Sequence, residues 1–250
     1  IADVEGRLSP ARVVTFTVDT VAPDAVDLER LRVRADPAGL AITGAAGAVE
    51  AGARVRITNE RTGEVRVVTA DASGAFAAVL DGTERDRLIL EPVDAAENVG
   101  DSVTVPGSFH VPPDPAASAP PLDPTIATQM DDALAFLWSG EDPVQIGVEP
   151  GAIEPRRIGW IRGRVLDRDG IPVPGVRVRA LGENELGETR TRLDGVYDLV
   201  VNGGGEVVLD FERTDFLGVQ RRVRVPWRES VWAEDVVLTA LDPAVTEVTP

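Results

Sequence analysis

Turn-forming residues break this sequence into short pieces, and that rhythm restricts the fold more than any other feature. The 250 residues include 24 Gly and 19 Pro, and the stretches between them are rich in Val and Thr. Pro removes a backbone donor and Gly weakens element interiors, so long helices are excluded over most of the chain. Short β-branched runs bounded by Asp-Gly, Asn-Gly and Pro-containing turns favour an all-β fold. The length suffices for about two domains of ~100–150 residues each. Hydrophobic content of 43% can fill their cores, but aromatics make up only 4%. The cores must therefore be built mainly from Val, Leu, Ile and Ala.

Residues 1–22 read as a turn and one strand, with Val14, Phe16 and Val18 alternating with Thr15 and Thr17. A lone strand is not stable, so this is expected to be the end of a truncated preceding domain. The chain is accordingly expected to be a fragment of a larger protein. Residues 23–107 contain expected strands at 31–35, 40–43, 53–58, 64–69, 75–80, 87–92 and 101–105. Their turns are Asp36-Pro37, Asn59 to Gly63, Asp71 to Gly74, Asp81-Gly82 and Asp94 to Asn98. Strands so spaced make a small β-sandwich, and 55–58 with 65–68 is the clearest hairpin. Residues 108–155 form a linker in which six Pro fall between 112 and 124, a composition that predicts a semi-rigid extended segment. Within it, Ile126, Met130, Ala133, Leu134 and Leu137 share one face of a helix expected over 125–138. Residues 156–241 return to strands, expected at 160–167, 176–181, 188–192, 196–201, 206–211, 220–226 and 233–238. Residues 242–250 read as a connector to a region further downstream.

The formal charge of −17 is unevenly placed. Residues 1–155 hold 11 Arg against 26 acidic residues, whereas residues 156–241 hold 14 of each. Nucleic acid and anionic membrane both need positive charge, so neither is an expected partner. No apolar run approaches the ~20 residues of a membrane helix. There is no Cys, which removes disulfides, thiol catalysis and Cys-based metal sites.

Two resemblances emerge from the motifs. Gly52 to Val55, Thr69-Ala-Asp71-Ala-Ser-Gly74-Ala-Phe76, Leu88-Ile-Leu90 and Asp94-Ala-Ala-Glu-Asn98 resemble the bacterial Ig-like repeats of large surface proteins, and residues 1–23 resemble the tail of another such repeat. Further on, Gly163-x-Val165-x-Asp167-x-x-Gly170-x-Pro172-x-x-Gly175-Val-x-Val178 with Thr191-x-x-Asp194-Gly195-x-Tyr197-x-Leu199 resembles the carboxypeptidase-regulatory-like or transthyretin-like sandwich. The motifs Asn202-Gly-Gly, Phe211-Glu-Arg213 and Val225-Pro226-Trp227 are similar to the transthyretin-like domain of teneurins and bacterial YD-repeat (Rhs-type) proteins. The resemblance covers roughly residues 125–241. It implies a spacer and coupling domain of a large exported protein, lying before a shell that encloses a toxin or adhesive segment. Extracellular or cell-surface localisation follows from the same resemblance.

Chemistry is sparse. The one His, His110, lies in the linker and reads as a bystander. No catalytic residue, cofactor or metal ligand is assigned. Asp167-Arg-Asp169-Gly170 resembles the start of a calcium loop, but Val178 stands where an EF-hand needs a carboxylate, so a turn is the better reading. Ig-like repeats can hold Ca²⁺ at junctions, where Asp19, Asp24, Asp71, Asp94 and Asn98 would cluster; structural turns are the preferred reading. Asn202-Gly203-Gly204-Gly205 lacks the Lys and following helix of a phosphate loop and reads as a hairpin turn. Arg221, Arg222, Arg224 and Arg228 form the one basic cluster, expected to be a solvated strand face paired with nearby carboxylates. Trp227 and Trp232 are the candidates for interdomain docking, with local core filling as the alternative. The leading expectation is a non-enzymatic spacer whose partners are neighbouring domains of the same parent chain. The alternative is a carbohydrate-binding or Ca²⁺-dependent adhesion module using the Ig-like half, with a cell-surface protein or glycan as its partner.

Overall fold

The computed structural model describes residues 18–123, 125–140 and 142–241. The strand expected near 13–18 falls almost wholly outside the described residues, and the connector 242–250 does so entirely. The described chain is all-β, folded around two main hydrophobic cores.

The first sandwich contains β1 (Leu31–Asp36), β2 (Gly39–Gly44), β3 (Arg54–Asn59), β4 (Val65–Thr69), β5 (Phe76–Leu80), β6 (Arg87–Val93) and β7 (Val103–Pro106). One sheet has the order β1-β2-β5 and the other β4-β3-β6-β7, and every pairing is antiparallel. Period-2 alternation decides which side chains go in. In β3, Val55 and Ile57 are buried whereas Arg56 between them is exposed. They meet Leu31, Leu40, Ile42, Leu88 and Leu90 in a core that is almost entirely aliphatic. The tight β1–β2 turn depends on Gly39, which has φ +125° and would place a Cβ 2.4 Å from the Leu80 carbonyl oxygen. One buried polar node ties the loops at one end. The Asp86 carboxylate accepts from Arg61 Nε (2.6 Å), Asn59 Nδ2 (2.8 Å) and the Thr83 amide (3.2 Å). Arg61 first, then Asn59 and Thr83, outweigh burial and hold Asp86 well below the usual carboxylate range.

The second sandwich contains β8 (Gln145–Ile146), β9 (Ile158–Leu166), β10 (Arg177–Ala180), β11 (Glu188–Arg190), β12 (Val196–Asn202), β13 (Gly205–Glu212), β14 (Val219–Val225), β15 (Glu229–Trp232) and β16 (Val236–Val237). Its sheets are ordered β14-β13-β10-β11-β8 and β12-β9-β15, with β16 also on β9. β15 and β16 run parallel to β9. Between the sheets lie Ile161, Val178, Leu199, Leu209 and Phe211, with Tyr197 edge-on to Phe211 at 5.4 Å.

β8 and β15 were not expected. β8 is held by one polar side chain rather than by an apolar pattern. Gln145 is fully buried; its amide nitrogen donates to Leu186 O (2.6 Å) and Val200 O (3.0 Å), and its oxygen accepts from Val200 N (2.7 Å).

Two expectations about residues 108–155 need correction. The linker is not an extended spacer throughout. Phe109 exchanges backbone hydrogen bonds with Val33, and Phe109 and Val111 are buried in the first core. A short helix, α1 (Pro115–Ser118), follows, capped by Asp114. Nor does a helix fill 125–138. It is reduced to α2 (Met130–Leu134) with a 3₁₀ turn at Ala135–Leu137. The Asp123 carboxylate accepts from Thr125 N (2.9 Å) and Thr125 Oγ1 (2.7 Å), so the local chain turns instead of entering a helix. Leu134 and Leu137 still dock on Ile158 of β9, Val200 of β12 and Val144 just before β8, whereas Ile126 remains 64% exposed.

Candidate docking face

Alternation along β9 and β12 produces the most distinctive surface. Ile161 and Val165 face the core, so Trp160 and Arg162 face outward beside Asp198 of β12, which pairs opposite Arg162. One end of this outer face is covered by α2 and the 3₁₀ turn. On the other end, Trp232 of β15 pairs alongside Arg162. The Arg162 guanidinium lies 4.8 Å from the Trp160 ring centroid and 5.9 Å from that of Trp232, within cation–π range of both. Asp198 beneath them has a fully buried side chain. It accepts a hydrogen bond from Trp160 Nε1 at 3.1 Å, forms an ion pair with Arg162 whose Nε lies 2.7 Å from the same oxygen, and pairs with the nearly buried Arg192 on its other oxygen. The charges inside the face are therefore compensated, while an aromatic surface is left at its rim.

Local core filling is not what the two candidate tryptophans do, since Trp227 and Trp232 are each 60% exposed. Trp227 lies across the β12–β13 turn and donates Nε1 to Gly203 O at 2.9 Å. Gly204 there has φ +105°, and a Cβ on it would fall 1.9 Å from Trp227 Nε1. The expected hairpin is not formed, because β12 and β13 belong to different sheets; the glycines instead make an intersheet turn that seats an indole. Each tryptophan is oriented by local contacts and presents most of its surface to water, so the pair is suited to packing against another apolar surface.

The other sequence candidates separate. Asp167 accepts from Asp169 N and Ile171 N within its own turn. Asp71 is engaged by Ser73 and Ala75 in the same manner. Asp94 and Asn98 do come together, at 2.7 Å, and Asn98 Nδ2 reaches the carbonyls of Asp19 and Val21. Among the described residues no three His, Asp or Glu side chains gather to hold a metal ion. The expected carboxylate partners of Arg221, Arg222 and Arg224 are not found among the described residues, and all three are exposed. His110 is not a loose linker residue. Burial first, then the charges of Arg190 and Arg32, push its pKa down to about 4. The Trp160–Arg162–Asp198 group was missed, although the i, i+2 spacing of Trp160 and Arg162 on an alternating strand carries the signal.

A second contact region joins the two sandwiches. Phe109 lies over Gly175, where a Cβ would come 2.5 Å from its ring. Arg190 reaches across, donating to Ser108 O (3.2 Å), Ser108 Oγ (2.9 Å) and Gly175 O (3.2 Å). Arg32 pairs with Asp142 at 2.7 Å, and Thr214 Oγ1 donates to Glu84 O at 3.0 Å. A cleft of about 540 Å³ lies along this junction, bordered by Glu84, Arg85, Arg177 and Glu212.

Comparison with known proteins supplies context for these geometries. Residues 153–238 match the family model of the teneurin TTR-like domain. The chain is 51% identical over 96 residues to teneurin-3 of Mus musculus, covering 38% of this chain and 4% of that protein. It is 39% identical over 116 residues to teneurin-m of Drosophila melanogaster, covering 46% of this chain and again 4% of the relative. The chain therefore spans only a small fraction of the length of the curated relatives it matches. Among solved structures, the TIE protein of Bacillus anthracis aligns over 95% of this chain and 43% of its own, with 10% identity and a TM-score of 0.29. A Ca²⁺-stabilised adhesin with which an Antarctic bacterium binds ice aligns over 92% of this chain and 55% of its own, with 15% identity and a TM-score of 0.25.

Proposed function

We propose that this chain is a non-catalytic spacer and coupling segment of a large exported protein of the YD-repeat or teneurin-like kind. It holds an Ig-like repeat and a transthyretin-like domain in fixed order and positions the region that follows them. The observation that carries this reading is the junction. The linker between the sandwiches is used as packing, with Phe109 in the first core and against Gly175 of the second, and Arg190 clamping Ser108. A spacer that transmits orientation needs such a seam, because separately folded domains otherwise move relative to one another. Trp227 and Trp232 are the surface on which a neighbouring domain of the parent chain docks, and the similarity of residues 153–238 to the teneurin domain supports that setting. The test is rotational diffusion of the chain by ¹⁵N relaxation. One shared correlation time for amides in both sandwiches is expected; two independent times would overturn the coupling role.

A further inference from the structure

The five-stranded sheet of the second sandwich ends in an unusual edge. Among the described residues β14 hydrogen-bonds only to β13, so along Val219–Val225 the opposite edge offers backbone donors and acceptors with no ladder partner there. Open edges are commonly blunted by charge, and this one bears Arg221, Arg222 and Arg224. Arg222 and Arg224 are in register with Val208 and Glu206, on the outer face of the sheet. Val223 and Val225 alternate with them and point into the sandwich. Three like charges this close repel a second copy of the same edge and attract an acidic one. They stand out in a chain of net charge −17, and none has a carboxylate partner among the described residues.

Beside this edge the sandwich is open. A groove of about 300 Å³ runs between β14 and the β15–β16 segment, lined by Val223, Val231, Arg221 and Trp232 and also by Glu234 and by Asp235, which is paired with Arg164. Tyr197 lines the groove; it is fully buried, and its hydroxyl has no hydrogen-bond partner. Burial, followed by the charges of Asp198 and Asp235, pushes its pKa upward, so the phenol stays a donor in want of an acceptor.

We infer that β14 accepts an acidic extended segment of a partner protein as an added strand, with the segment's apolar side chains facing the groove and its carboxylates facing Arg222 and Arg224. The backbone edge supplies the pairing, the groove takes alternate apolar side chains, and the Arg row selects the charge. Such recognition goes beyond the spacer role and does not depend on it.

The whole chain is titrated with acetyl-(Val-Glu)4-amide and with acetyl-(Val-Lys)4-amide while hydrogen exchange is followed residue by residue. The acidic peptide is expected to bind at least about tenfold more tightly, to weaken with added salt, and to slow exchange along residues 219–225. Arg222→Glu with Arg224→Glu should lower its affinity by about tenfold or more. Arg222→Gln with Arg224→Gln should give a smaller loss, and it serves as the readout if the Glu variant fails to fold. Equal binding of the two peptides, no binding of the acidic one, or binding without slowed exchange on β14 would each overturn the inference.

Discussion

A carboxylate removed from water must be compensated from several directions, and Asp198 shows how this chain does so. Its two oxygens are taken by Arg162, Arg192 and the Trp160 indole, while its strand neighbours Tyr197 and Leu199 point into the core. Removing one member of a buried ion pair leaves the others charged and unpaired, which costs ~3–5 kcal/mol. Asp198→Ala should therefore lower the unfolding free energy of the second sandwich by about that amount in urea titrations. It should also raise the mobility of Trp232, whose cation–π partner among the described residues is Arg162. His110 gives a pH dependence. Its pKa of about 4 in the fold lies below the ordinary value of about 6.5, so the fold binds this proton more weakly than the unfolded chain does. Stability from the neutral imidazole is complete above pH ~6.5 and is lost as the pH falls towards ~4. Arg190 and Arg32 add to the cost of a charged imidazole, and Asp142 partly offsets it. His110→Gln should retain more stability than the native chain between those pH values, measured as the difference in melting temperature between the two across that window. Neither role was legible from composition. Asp198 sat unremarked inside a matched motif, and the many prolines after His110 concealed the fact that Phe109 and Val111 return to the first core.

Elements were more legible where a single pattern decided them. Strict alternation and Asp-Gly or Asn-Gly turns located the strands of both sandwiches closely, because one-residue slips would have moved an entire apolar set to the wrong face. The pattern failed where side chains competed with the backbone or where pairing depended on a polar residue. Asp123 and Thr125 close a turn that cuts the expected helix to Met130–Leu134. β8 exists because Gln145 bonds to Leu186 and Val200, and no hydrophobic periodicity announces it. β15 is also short, at four residues, and its parallel pairing with β9 is a long-range contact that local spacing does not encode. The shortened helix makes two positions with the same sequence pattern behave differently. Leu137 is 1% exposed against Ile158 and Val200, so Leu137→Ala should cost about 2–5 kcal/mol. Ile126 is 64% exposed, and Ile126→Ala should change stability by no more than ~0.5 kcal/mol. Equal losses at both sites in chemical denaturation would restore the longer helix.

At the scale of the whole molecule, charge and packing divide the labour. The acidic half and the neutral half are separate sandwiches with separate cores, yet the contacts between them are specific rather than diffuse. Surface ion pairs such as Arg32–Asp142, both more than half exposed, contribute little to holding them together. The Arg190 clamp differs, because its side chain is only 10% exposed and burial pushes its guanidinium pKa downward. A buried cation at a junction is tolerated only while its hydrogen bonds are met, and two of its acceptors belong to Ser108 in the segment leaving the first sandwich. Arg190→Met keeps the stem and the volume and removes the bonds. The Ser108 and Gly175 carbonyls would then lose a donor, a loss worth about 1–3 kcal/mol in buried surroundings. The cores of both sandwiches are untouched by that change, so the loss should fall on their coupling. Calorimetry is expected to resolve two transitions in the variant where the native chain shows greater overlap, and small-angle scattering should show a larger maximum dimension. If the variant kept the native scattering profile and a native-like melt, Phe109 packing on Gly175 would be sufficient to fix the two sandwiches, and the clamp would be a consequence of their docking rather than its cause.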